Sequence, residues 1–237
     1  MTRAGLVVPP LKGRVPPDAA LMYPGTAFLV EGIGVSAMTA AGYAEAEGRL
    51  SDCARALAER GAQGVLLFGT SLSFFRGPAF NAGLEARMAA ASGLPSMTLT
   101  SALCRALRGL GARRLAVATA YDDAVNAMFA AYFEGEGFGI GAIEGLALTS
   151  LSDAETASED AVATLSRRVV AATPGAEALV ISCAGLTTAG VAPRLEAELG
   201  LPVVSSAMAG AWAAQGLAGG VAAVKGFGQV YEREFTR

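Results

Sequence analysis

Cys183 stands at the end of an apolar run, Val180-Ile181-Ser182-Cys183-Ala184-Gly185-Leu186, where the chain passes abruptly into small residues. An earlier run, Val65-Leu66-Leu67-Phe68-Gly69-Thr70-Ser71, reads as the same strand followed by the same small-residue turn. Where the second copy has a thiol, the first has Gly69. A site between two such turns holds one thiol proton donor, and it suits protonation from one side only. Exposed N–H groups at a strand-to-turn junction are expected to favour a thiolate at Cys183. Cys53 and Cys104 sit in helical patterns and read as inert, buried small hydrophobes.

The other candidates are hydroxyls and a phenol. Thr70, Ser71 and Ser73 cluster behind the first strand. Such residues cap helices and make turns, and equally they form an anion cradle with backbone N–H groups. Tyr121 follows an apolar segment in Thr119-Ala120-Tyr121-Asp122-Asp123. Its phenol either packs at a strand end or donates to a carboxylate or enolate. Asp122 and Asp123 are expected to cap the next helix. The stretch Gly32-Ile33-Gly34-Val35-Ser36-Ala37 fits a loose dinucleotide pattern. The acidic residue at the required distance, Asp52, falls mid-helix instead of at a strand end, which counts against it.

What is missing narrows the chemistry. The 237 residues include no histidine, so Ser-His and Cys-His nucleophile systems and the common zinc ligand sets are out. Three widely spaced cysteines make no disulfide framework. Acid–base work falls to thiol, phenol, hydroxyl or carboxylate. The net charge of −3 comes without a basic cluster, so neither nucleic acid nor an anionic membrane is an expected partner. No apolar run reaches the roughly 18 residues of a membrane span, and no signal-peptide pattern opens the chain. A cytoplasmic monomer is the expectation.

These groups need a scaffold. With 53% hydrophobic residues the chain can bury a sizeable core. Leu6–Val8 reads as a first strand stopped by Pro9-Pro10, with a Pro/Gly-rich loop to about Gly25. Thr39 caps a helix from about Ala41 to Arg60, followed by strand 65–68, helix 79–91, strand 96–99 and helix 102–110. A second series gives strand 115–118, helix 123–133, strand 142–148, helix 158–172, strand 178–182, helix 192–199 and strand 203–204. Alternating strands and helices predict parallel sheets. Near-continuous apolar strands agree, because both faces of such sheets are covered. The expected fold is α/β: two similar Rossmann-like halves, residues 1–113 and 114–237, each a parallel sheet flanked by helices. Whether the C-terminal segment crosses back to the first half is left open. Ligands sit at the carboxyl ends of parallel strands. That gathers Pro9, Gly69-Thr70-Ser71, Thr119-Ala120-Tyr121 and Cys183-Ala184-Gly185 around one crevice.

Five segments carry a resemblance: Val8-Pro9-Pro10, Gly69-Thr70-Ser71-Leu72-Ser73-Phe74-Phe75-Arg76-Gly77, Ala118-Thr119-Ala120-Tyr121, Ser182-Cys183-Ala184-Gly185-Leu186 and Pro202-Val203-Val204-Ser205-Ser206. Together they resemble the arylmalonate decarboxylases of the aspartate/glutamate racemase superfamily. The resemblance implies four-stranded sheets in both halves. It also implies cofactor-independent, enantioselective decarboxylation of α-aryl or alkenyl malonates, small dicarboxylates, to 2-aryl acids. Racemases and maleate isomerases of the superfamily carry a cysteine in each half; the decarboxylases, like this chain, carry only the second. By the resemblance Cys183 protonates the product. Thr70, Ser71, Tyr121 and the amides of Ser71, Ala184 and Gly185, beside Gly69, hold the retained carboxylate in a dioxyanion hole. Pro9, Val35, Met38, Leu72 and Leu151 make the apolar pocket for the departing carboxylate. Ala184 replaces a family glycine, which puts substrate preference in doubt. The other readings are a superfamily racemase (amino acid or hydantoin), a maleate cis–trans isomerase, or a non-catalytic carboxylate binder.

Overall fold

The computed structural model describes residues 1–148 and 150–235. Two four-stranded, all-parallel sheets carry the chain. The first is built from β1 (Arg3–Val8), β2 (Ala27–Gly32), β3 (Gly64–Leu67) and β4 (Ser96–Thr98), in spatial order β2-β1-β3-β4. The second is built from β5 (Arg114–Thr119), β6 (Gly139–Gly145), β7 (Ala178–Ser182) and β8 (Val203–Ser205), in the order β6-β5-β7-β8. The inner strands are buried almost end to end, β7 at all five residues. Helices on both faces account for their unalternating apolar character.

In chain order the helices are α1 (Pro17–Met22), α2 (Ala40–Ala46), α3 (Leu50–Glu59), α4 (Thr70–Phe74), α5 (Gly77–Ser92), α6 (Leu99–Leu110), α7 (Asp123–Gly135), α8 (Leu151–Thr156), α9 (Glu159–Ala171), α10 (Val191–Leu199) and α11 (Ser206–Leu217). Thr39 caps α2 as expected, its hydroxyl accepting from Gly42 N–H at 3.3 Å. Asp122 caps α7 through Val125 N–H at 2.9 Å.

Several expectations need correction. The helix read over 41–60 is two helices separated by a 3₁₀ turn at Glu47–Arg49, where Gly48 weakens α-helical propensity. The Pro/Gly-rich loop contains α1, which uses Pro17 at its first turn. The strand β2 was not anticipated: it is an edge strand, half-exposed on both faces, so it lacks both alternation and a buried run. The strand placed at 142–148 lies at 139–145. Two glycines disguise its start, and one of them is needed: a Cβ on Gly141 would come within 2.1 Å of the Thr173 side chain.

The last helix, α11, also went unread. Its Ala207, Ala213, Ala214 and Leu217 pack on Ala4, Leu6, Val8 and Leu66 of the first sheet and on Phe68 just after β3. Phe74 of α4 meets Tyr121 and Phe129 edge-on, at centroid distances of 5.9 and 5.6 Å. That contact seats the turn after β5 against the turn after β3. No helix among the described residues is long and apolar enough to cross a membrane.

Candidate active site

The inner pairs β1/β3 and β5/β7 lie at the positions where strand order reverses, which is where open parallel sheets leave a crevice at their carboxyl ends. The turns that leave these four strands meet there. One small cavity of about 30 Å³ is lined by Pro9, Val35, Met38, Gly69, Thr70, Ser71, Leu72, Tyr121, Leu151, Cys183, Ala184 and Gly185. Every residue to which the resemblance gives a site role is on its wall, whereas Ser73, the third hydroxyl of the candidate cradle, is not. The cavity also has one wall residue that sequence reasoning missed, Tyr43 of α2.

Thr70 and Ser71 form the first turn of α4, with Gly69 at the cap position and no side-chain cap. They are therefore not capping residues. Thr70 is buried, and its hydroxyl lies near the Tyr121 phenol but makes no hydrogen bond of regular geometry; the Tyr43 hydroxyl likewise makes none. Tyr43 lies near Ser71, but no hydrogen bond of regular geometry joins them. A buried hydroxyl without a partner is costly. Two of them stand on one cavity wall. Ser73 does not belong to this set: its hydroxyl donates into the backbone at Gly69 O (3.0 Å) and Thr70 O (2.8 Å) and contacts Thr100 Oγ1 at 2.6 Å. It braces α4 instead of facing the cavity.

Tyr121 is buried, with its hydroxyl 3.4 Å from Ser182 Oγ and its N–H bonded to Thr119 Oγ1 at 3.0 Å. Burial, with the nearby Cys183 second, pushes the phenol well above its ordinary range, so it stays a donor. The opposite end of the turn is held from β6, where Gly145 leaves no room for a side chain: a Cβ there would meet Tyr121 O at 1.9 Å.

Cys183 has φ of 146°, a region that side chains rarely adopt. Gly185 N–H points at its sulfur from 3.4 Å. As expected, these N–H groups favour the thiolate, but they do not prevail. Burial outweighs them and pushes the thiol up to about 11, against lowering by the Gly185 and Leu186 N–H groups and Tyr121; the Glu155 carboxylate adds to the rise. Cys183 is a protonated acid at neutral pH.

The loop beyond Cys183 is tied to the other half. Thr188 N–H and Oγ1–H both donate to the Asp18 carboxylate, at 2.9 and 2.6 Å, and Asp18 is buried. Thr188 also contacts Ser205, whose backbone is held by the Tyr231 hydroxyl. Asp18→Ala leaves the buried Thr188 N–H without its acceptor and strips the Thr188 hydroxyl of one of its two partners, which together cost on the order of 3 kcal/mol. A thermal melt should show Tm lowered by about 6–12 °C in a chain of this size; a melt within about 2 °C of wild type would mean that the tie does not hold the loop.

A larger cavity of about 250 Å³ adjoins the small one and shares Pro9, Leu151, Ala184 and Gly185 with it. Among the described residues, no group of three or more His, Cys, Asp or Glu side chains is placed to hold a metal ion.

The arylmalonate decarboxylase family model matches residues 4–231. The chain belongs to that family. It is 41% identical over 229 residues to the arylmalonate decarboxylase of Bordetella bronchiseptica, covering 96% of this chain and 95% of that protein. A solved glycine-to-cysteine, cysteine-to-serine double mutant of arylmalonate decarboxylase in its liganded form superposes with a TM-score of 0.95 at 39% identity, covering 97% of this chain and 98% of that one. Unliganded arylmalonate decarboxylase gives 0.90 at 40% identity over 99% of this chain and all of that one. The Nocardia farcinica maleate cis–trans isomerase bound to TRIS shares the fold, with a TM-score of 0.87 at 24% identity over 98% of both chains.

Proposed function

We propose that this member of the arylmalonate decarboxylase family removes CO₂ from α-aryl or alkenyl malonates without a cofactor and delivers one enantiomer of the 2-substituted acid. The observation that carries the reading is the pairing of two buried hydroxyls without a regular hydrogen bond, on Thr70 and Tyr43, with a protonated thiol on the wall of one cavity.

Cleavage of the C–C bond leaves its electron pair on the α-carbon. The aryl group and the retained carboxylate share that charge as an enediolate. The hydroxyls of Thr70, Ser71, Tyr43 and Tyr121, with the amides of Ser71, Ala184 and Gly185, supply fixed donors where the charge develops. Losing one such donor typically costs about 10²–10³ in rate. The carboxylate that leaves faces Val35, Met38, Leu72, Leu151 and Pro9, walls that solvate an anion poorly and so favour neutral CO₂. The α-substituent extends into the larger cavity, since the small one has no room for a ring. Cys183 then passes its S–H proton to the α-carbon, and the resulting thiolate recovers a proton from water.

The test is turnover of phenylmalonate, scored for CO₂, and of α-methyl-α-phenylmalonate, scored for CO₂ and for product chirality, before and after dialysis against a chelator. CO₂ with one enantiomer in both cases supports the reading. Binding without CO₂ makes the chain a carboxylate binder. Racemisation of an amino acid or hydantoin, or isomerisation of maleate, in place of decarboxylation assigns it to another branch of the superfamily.

The pH dependence follows from burial of the thiol. The protonated form is the active one, and its raised pKa keeps it protonated to higher pH. The rate should therefore stay level through the ordinary cysteine range, about 8.5, and fall with a midpoint near 11. An alkaline limb centred at the ordinary value would remove the buried thiol from the proton-transfer step.

A further inference from the structure

The larger cavity is mostly apolar near the site, with walls at Val8, Pro9, Phe68 and Ala184. Its charged side chains, among the described residues, are Arg14 and Glu155. Arg14 comes from the loop after β1 and Glu155 from α8, so the pair joins the two halves across the cavity through a guanidinium–carboxylate bond. Glu155 is near enough to Cys183 to act on its thiol electrostatically. A substituent that starts at the reacting carbon and runs out through the cavity therefore meets this pair.

An exposed ion pair of this kind contributes little to stability, so a substrate group that inserts into it disturbs little. What that group must be follows from the two charges. A terminal carboxylate would bond Arg14 and be repelled by Glu155. A terminal ammonium would bond Glu155 and be repelled by Arg14. A bare ring edge offers neither partner anything. A hydroxyl accepts from the guanidinium and donates to the carboxylate at once.

We propose that the Arg14–Glu155 pair is a specificity-determining element, selecting malonates whose aryl group carries a neutral donor–acceptor group, with hydroxyaryl malonates as the preferred class. The proposal rests on the decarboxylase reading above.

The experiment measures kcat/KM for phenylmalonate and for its meta- and para-hydroxy, methoxy and carboxy derivatives. Hydroxy and methoxy groups release electrons to the ring similarly, so their ratio isolates the donated hydrogen from the intrinsic chemistry. The wild type should favour the better hydroxy isomer over its methoxy counterpart by roughly tenfold, as a hydrogen bond to a charged partner warrants. The carboxy derivatives should be the poorest. In the Arg14→Ala, Glu155→Ala double variant the hydroxy-to-methoxy ratio should drop towards unity, because substrate reactivity is common to both enzymes and cancels.

A wild-type ratio under twofold, or a tenfold ratio that persists in the variant, overturns the proposal. Preference for a carboxy derivative overturns it too, and assigns the cavity to an anion. If the variant does not fold, the wild-type series decides alone. Turnover of phenylmalonate without a hydroxy preference sinks only this inference; no turnover of any malonate sinks the decarboxylase reading with it.

Discussion

Replacing Cys183 with serine should lower kcat by about 10²–10⁴, the usual contribution of a positioned general acid. A hydroxyl fills the same space but is a far weaker acid than a thiol, even a thiol raised to about 11. Donors that hold the carboxylate are on other residues, so KM should change little. The far-UV circular dichroism and Tm serve as controls, since serine inherits the same backbone geometry. Activity within a few-fold of wild type would remove Cys183 as the proton source and leave water or Tyr121 to supply it.

The second large effect is one of handedness. Gly69 ends the turn after β3, and Cys183 opens the turn after β7; both line the small cavity. Gly69 has φ of −139°, which any residue adopts. A Cβ built there approaches Pro9 Cγ at 3.3 Å and Leu72 Cβ at 3.4 Å, so a cysteine needs only a small adjustment. In the double variant Gly69→Cys with Cys183→Ser, the proton should come from the other side and the product should be the mirror image. Gly69→Cys alone provides a thiol on each side, so it should racemise 2-arylpropionates that the wild type leaves intact. Chiral chromatography reads both results. An active double variant with unchanged handedness would mean that position 69 does not face position 183 across the substrate.

Much of this arrangement is legible in the sequence because parallel sheets put their ligand-facing residues in one predictable place. Gly69, Thr70, Tyr121 and Cys183 each follow an apolar strand directly, so strand recognition alone brings them together. Tyr43 carried no such mark. It lies inside a helix whose pattern gives a tyrosine the same slot whether it packs or donates. Ser73 erred the other way: one turn further along α4, its hydroxyl faces the backbone instead of the cavity. The strand β2 escaped because an edge strand half-buried on both faces has no periodic signature. The Arg14–Glu155 bond joins residues 141 positions apart, in a loop and a short helix. Nothing local in either segment names the other.

The backbone at Cys183 has a consequence for anyone who evolves this protein. A φ of 146° is where glycine rests and a side chain does not, and holding such a conformation costs on the order of 1–3 kcal/mol. Glycine would relieve that cost at an entropic penalty of about 0.4–1 kcal/mol in the unfolded chain. A library sorted only for heat resistance should therefore drift towards glycine at position 183, while one sorted for turnover keeps cysteine. Thermal hardening of this protein has to be sought elsewhere in the chain, with that residue fixed.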